Sequence, residues 1–98
     1  MLIRIVKLTI REENISSFEQ IFDQTKETIR KFKGCMLLEL YRDRNDTGVF
    51  FTYSYWNSEE DLEAYRSSDF FRNVWGKTKL LFELKPEAWS VDKVASLN

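Results

Sequence analysis

The chain has 98 residues, with 15 lysines and arginines against 16 aspartates and glutamates, a single cysteine and no histidine. That length is one domain's worth, expected over residues 1–98, and the dispersed, balanced charge argues against a nucleic-acid footprint or attachment to an anionic membrane. No apolar run approaches the roughly 20 residues that span a bilayer, and a lone cysteine closes no internal disulfide, so a cytoplasmic, reducing location is expected.

The opening "MLIRIVKLTI" is interrupted by Arg4 and Lys7 and no small-residue cleavage site follows, so it is read as a strand rather than a secretory segment. Leu2, Val6, Leu8 and Ile10 fall on one side of it and Ile3 and Ile5 on the other, giving a strand with two faces to hide. In "NISSFEQIFDQTKETIRKFKG", Ser16 and Glu19 fit a capping box. Phe18, Ile21, Phe22, Thr25, Ile29 and Phe32 follow a helical stripe, and Gly34 is a natural stop.

Cys35 to Arg42 and Val49 to Trp56 read as strands joined by the turn formers of "DRNDTG", an antiparallel hairpin. Cys35 lies in an apolar strand with no histidine to activate it, so it is expected to be buried and structural. Ser58 with Asp61 marks a helix start, and Ser68 or Asp69 caps a second helical piece carrying Phe70, Phe71, Val74, Trp75, Thr78, Leu81 and Phe82. Pro86 closes the helical stretch, and "AWSVDKV" supplies a fourth strand.

The predicted order, β-α-β-β-α-β, defines an α+β fold, the ferredoxin-like sandwich of a four-stranded antiparallel sheet with its helices on one face. With 43 % hydrophobic and 15 % aromatic residues, the chain holds more apolar material than a two-layer fold of this length covers alone. The first and third strands are apolar on both sides, and an uncovered face of that kind is a patch that soluble monomers seldom carry. A homodimer through the open face of the sheet is therefore expected, two sheets pairing as a dimeric α+β barrel.

Across nearly its whole length the chain resembles the antibiotic biosynthesis monooxygenase family of small dimeric α+β barrel proteins. The resemblance rests on "KGCMLLELYRD", on "FFTYSYWNSEEDLEAYRSSDFF" and on the strand after Pro86. Many members place a histidine about nine residues after the tryptophan matched by Trp56, where this chain has Tyr65. The asparagine, tryptophan and iron-binding histidine of haem-degrading members fall at Val6, Tyr65 and Trp75, so the resemblance points away from haem degradation.

Without histidine there is no imidazole ligand, and Glu59, Glu60 and Asp61 sit at a helix start where the dipole accounts for them, so no metal site is expected. Three scattered glycines make no phosphate loop, and no nucleotide or flavin cofactor is expected. What the resemblance implies instead is cofactor-independent oxygenation of a small aromatic, quinol or anthrone-like compound, whose own anion passes an electron to dioxygen. Its cavity would be walled by Trp56, Phe71, Trp75 and Tyr65, rings that suit a flat hydrophobic or aromatic ligand.

A proton acceptor in such a site has to be a carboxylate, a tyrosine or water. The catalytic candidates are Tyr65 and Glu39, the latter placed between Leu37 and Tyr41 where burial would raise its pKa; Arg66 or Arg4 would hold a substrate anion. Each has a competing reading: the tryptophans as packing residues, Glu39 as an interface or strand-edge ion-pair partner. A second function class stays open beside the enzyme, a non-catalytic dimeric module that binds a small hydrophobic ligand.

Overall fold

A computed structural model describes residues 1–98. Its strands are β1 (Leu2–Thr9), β2 (Cys35–Arg42), β3 (Val49–Trp56) and β4 (Glu87–Val91), and its helices are α1 (Ile15–Arg30), α2 (Glu59–Arg66) and α3 (Asp69–Thr78). All neighbouring strands are antiparallel, in the order β2-β3-β1-β4. This is the ferredoxin-like α+β fold, with the second helical unit divided in two. No helix is long and apolar enough to cross a membrane.

The division of the second unit follows from two local caps. Ser58 accepts a hydrogen bond from the Asp61 amide at 3.1 Å, and Ser68 accepts one from the Phe71 amide at 3.1 Å, so each serine satisfies an orphan donor and starts a helix. α3 stops at Thr78, well before Pro86; a 3-10 turn over Lys79–Leu81 follows, and Phe82 leaves the helical path to bridge Ile10.

Two other local expectations are corrected. The Ser16–Glu19 capping box is not used, because a 3-10 turn at Glu12–Asn14 feeds α1 directly and leaves Ser16 inside the helix. α1 also ends at Arg30, before Gly34, whose task is different. Gly34 has φ +86°, and a Cβ there would overlap the Asp61 carboxylate. Its carbonyl accepts from the Asn57 amide at 2.8 Å, so the turn into β2 is packed against the start of α2.

β1 and β3 pair from Leu2 opposite Trp56 to Thr9 opposite Val49, and this register decides what each face carries. Toward the helices, β3 presents Phe50, Thr52, Ser54 and Trp56: two large residues at the ends and two small polar ones between. The buried core is split accordingly. One cluster holds Leu8, Ile10, Phe18, Phe50 and Phe82; the other holds Cys35, Trp56 and Leu62, with Phe32 and Tyr65 against it.

Replacing Gly34 by alanine should destabilise the fold by more than about 1 kcal/mol, from the left-handed backbone and the clash with Asp61 together. Urea unfolding checks this; the variant's midpoint is expected to fall clearly below that of the unaltered chain.

Candidate functional site

Between the two core clusters lies a cavity of about 290 Å³. It exists because β3 and β4 put short side chains into the middle rows of the sheet. Leu38, Ser54, Arg4 and Ser90 follow one another across the four strands, and Leu40, Thr52, Val6 and Ala88 form the next row. Thr52, Ser54 and Ala88 do not reach the helical layer, while Phe50 and Trp56 at the two ends hold that layer off the sheet.

One side of the cavity, from Trp56 to Trp75, is a series of rings that continues beyond it to Phe82. Trp56 stacks on Tyr65 with centroids 5.1 Å apart, Tyr65 meets Phe71 edge-on at 5.1 Å, Phe71 stacks on Trp75 at 5.8 Å, and Trp75 meets Phe82 edge-on at 5.4 Å. Trp56 is 1 % exposed and donates its indole N–H to Ser54 Oγ at 3.0 Å, so it is a packing residue and a wall residue at once. The two readings of the tryptophans are not exclusive.

Of the six expected site residues, Trp56, Tyr65, Arg66, Phe71 and Trp75 line this cavity and Glu39 does not. Glu39 pairs with Tyr53 across β2 and β3, on the open face of the sheet, and accepts a hydrogen bond from the Tyr41 hydroxyl. Strand alternation is the reason. Leu38 and Leu40 take the helix-facing positions, so Glu39 points away from the cavity and has no access to a substrate there.

Tyr65 is placed in the cavity with a chemistry opposite to that of a base. Its hydroxyl has no hydrogen-bond partner in the chain, and burial, with the nearby Cys35 as a lesser cause, pushes its pKa far above the usual phenolic value. The neutral phenol is a hydrogen-bond donor at every physiological pH. Cys35 is 4 % exposed and burial raises its thiol pKa, so it is not an activated nucleophile either.

The remaining ionisable groups on the wall are two arginines. Arg4 comes from β1 and donates to Ser90 Oγ on β4 at 3.0 Å; Arg66, in the last turn of α2, donates to Glu63 at 2.7 Å. Burial first, and then the neighbouring Arg66 guanidinium, pull the Arg4 pKa below its ordinary value, with Glu63 opposing. No carboxylate lines the cavity, and no group of three or more His, Cys, Asp or Glu side chains is placed to hold a metal ion. Arg4, named beside Arg66 from the sequence, lines the cavity as well, whereas Thr52 and Ser54 are the contributions that periodicity alone passed over; the signal was the large-small-small-large series Phe50, Thr52, Ser54, Trp56 on one face of β3.

An antiparallel ferredoxin-like sheet whose helices stand off its centre around an aromatic cavity defines a class of small α+β proteins with an interior cavity. The family profile for antibiotic biosynthesis monooxygenase matches residues 1–75, and the chain belongs to that family. Among solved structures it is similar to an antibiotic biosynthesis monooxygenase at 20 % identity and TM-score 0.91, over 97 % of this chain and 100 % of the other. A conserved protein from Methanosarcina mazei Go1 matches at 20 % identity and TM-score 0.88, over 95 % and 93 % of the two chains. A Mycobacterium tuberculosis protein matches at 18 % identity and TM-score 0.88, over 99 % and 98 %. At these identities the structural likeness establishes the fold. No curated protein matches the sequence.

The raised pKa of Tyr65 has a sign in stability. Below about pH 10 both folded and unfolded chains carry the neutral phenol and nothing is lost. As pH rises past the unfolded value, the unfolded chain releases the proton while the folded chain retains it, so stability falls with pH. In urea unfolding between pH 9 and 11, the Tyr65→Phe variant is expected to show a shallower alkaline decline than the unaltered chain; equal slopes would mean that Tyr65 ionises freely in the fold.

Proposed function

We propose that the chain is a cofactor-independent monooxygenase that oxidises a small aromatic, quinol or anthrone-like compound with dioxygen. The observation that carries this reading is the aromatic cavity itself, with a neutral Tyr65 hydroxyl and an arginine pair on a wall otherwise made largely of apolar side chains. A flat substrate packs against Phe71 and Trp75, with Trp56 buried behind Tyr65, and such ring contacts add about 0.5 to 1.5 kcal/mol per pair beyond burial. The enclosed site keeps the reacting ring dry and oriented.

In this reading the ionised substrate passes one electron to dioxygen, and the resulting radical and superoxide join through a new C–O bond. The peroxide takes up a proton and its O–O bond breaks; the substrate carbon, in losing its hydrogens, becomes a carbonyl. One oxygen atom enters the product and the other leaves as water, the substrate having supplied all four electrons. Tyr65 donates a hydrogen bond to the substrate oxyanion, a charge-assisted contact worth about 1.5 to 3 kcal/mol.

Oxygen uptake with a panel of quinols and anthrones tests the activity. The Tyr65→Phe protein should retain its cavity and lose roughly 10- to 100-fold in rate, as removal of one hydrogen bond to an anion implies; Glu39→Gln should be unaffected at the site. No uptake above the spontaneous rate across the panel would favour a ligand-binding module over an enzyme.

The same reading includes a homodimer through the open face. Leu37, Tyr55, Ile3 and Val91 form one row across that face, and Glu39, Tyr53, Ile5 and Trp89 the next. Trp89 is 44 % exposed and Tyr41 51 %, an apolar and aromatic surface that a second sheet would cover. Sedimentation at micromolar concentration is expected to give twice the 11.8 kDa chain mass, and Tyr53→Glu is expected to shift it toward the monomer. An unaltered protein that sediments as a monomer removes this part of the proposal.

A further inference from the structure

Two hydroxyls on the cavity wall are buried, and they are satisfied differently. Thr78 donates to the Val74 carbonyl at 2.7 Å. Ser54, on β3 and 7 % exposed, accepts the Trp56 indole N–H at 3.0 Å, and no acceptor in the chain takes its own O–H. The indole occupies one lone pair of the oxygen, so the Ser54 proton has to point elsewhere. Arg4, its partner across the β1–β3 pairing, reaches the other way to Ser90 on β4. Beside Ser54 the floor of the cavity is apolar, with Leu38 from β2 and Val6 on the diagonal from β1. A buried donor left open in this way is completed by an acceptor that a ligand brings.

The two faces of a ring bound here are not equivalent. Phe71 and Trp75, whose rings are 10° from parallel, cover one face from α3, and the other face is turned to the sheet. The orbital of the ring carbon that joins dioxygen stands perpendicular to the ring, so the new C–O bond points at the sheet. We propose that Ser54 is the hydrogen-bond donor to the peroxide formed on that face, and that the apolar floor at Val6 and Leu38 is where dioxygen approaches. The assignment deepens the oxygenase reading and rests on it. Tyr65 does not serve both charges, because the substrate oxyanion lies in the ring plane and the peroxide outside it. In the step, one oxygen bonds to the ring carbon and the charge passes to the terminal oxygen, which accepts the Ser54 O–H. That oxygen takes up the proton the substrate released on ionising, carried by water. The carbon then loses its remaining hydrogen as a proton, the O–O bond breaks and hydroxide leaves, giving a carbonyl and one water per dioxygen. Ser54 keeps its own proton throughout.

The test follows anthrone oxidation above its spontaneous rate, measuring quinone formed and hydrogen peroxide released, the latter as the dioxygen that catalase returns. Without the Ser54 O–H the peroxide charge is unsupported, and reduced dioxygen escapes before the O–O bond breaks. The ratio of hydrogen peroxide to quinone should therefore rise about tenfold or more in Ser54→Ala, as loss of one hydrogen bond to an anion implies. Ser54→Thr, which keeps a hydroxyl, should match the unaltered chain. Ser54→Ala also leaves the Trp56 N–H without its acceptor, so its folding is checked by urea unfolding. Val6→Ile supplies an independent reading from a conservative strand substitution. Its added methyl on the floor should raise the KM for dioxygen at least about threefold and leave the KM for anthrone within about twofold.

An unchanged ratio in a folded Ser54→Ala protein overturns the proposal, as does a loss of coupling in Ser54→Thr equal to that in Ser54→Ala. So does a KM for dioxygen that is unmoved in Val6→Ile; a rise in the anthrone KM alone would place the ring, not dioxygen, against the sheet. If Ser54→Ala does not fold, the Val6→Ile result decides. Uptake with an unchanged ratio removes this assignment and leaves the oxygenase reading standing. No uptake above the spontaneous rate with anthrone or any quinol removes that reading, and this assignment with it.

Discussion

The helix-facing side of β3 constrains everything else in this molecule. Phe50 and Trp56 stand at its ends as two of the least exposed residues in the chain, at 2 % and 1 %, and Thr52 and Ser54 lie between them. Two large anchors with short side chains between them cannot be covered by a close-packed helical layer without a void. The core therefore divides into two clusters, and the space between them becomes the cavity. A sheet with leucines at both middle positions would have joined the clusters and left nowhere for a ligand.

Fitting the helices around that void places the chemistry. Ser58 and Ser68 break the second helical unit into two pieces, and the break lets Tyr65 and Arg66 come from the end of α2 while Phe71 and Trp75 come from the start and middle of α3. One continuous helix would carry its side chains on a single straight stripe. Two short helices instead carry Tyr65, Phe71 and Trp75 around the cavity, in a ring series that runs from Trp56 on β3 to Phe82 beyond α3. Gly34 ties the arrangement to the sheet, since only a residue without a Cβ allows Asp61 and the first turn of α2 to sit against the entry to β2.

The two faces of the sheet divide polar roles as well as apolar ones. On the open face, Glu39 and the Tyr41 hydroxyl satisfy each other, and Tyr53 and Tyr55 bring their hydroxyls to 3.5 Å, a self-contained polar network on a largely aromatic surface. On the helix side, Arg4 has one side-chain hydrogen bond, to Ser90, and the Tyr65 hydroxyl has none. One face pairs its polar groups with one another; the other leaves the Tyr65 hydroxyl and most of the Arg4 guanidinium without partners from the chain.

Much of the fold was legible in the linear order. The limits of β2 and β3 and the serine caps of α2 and α3 follow from strand-forming runs, turn formers and local hydrogen bonds, all of which act over a few residues. The aromatic members of the site were legible too, because rings at helical spacing on α2 and α3 have to face the sheet. What the order of residues left open was everything that depends on placement across the chain. The Ser16–Glu19 box is idle because the 3-10 turn at Glu12–Asn14 starts α1 ahead of it, and the early end of α3 goes with a tertiary contact, the Ile10–Phe82 bridge. The exclusion of Glu39 from the cavity depends on which face of β2 the helices cover, and a period of two is satisfied equally well by either face until they pack. The meeting of Arg4 with Arg66, far apart in sequence, exists only once β1 pairs with β3 and α2 folds back over them, since charge and burial at a site are sums over neighbours that the fold alone supplies.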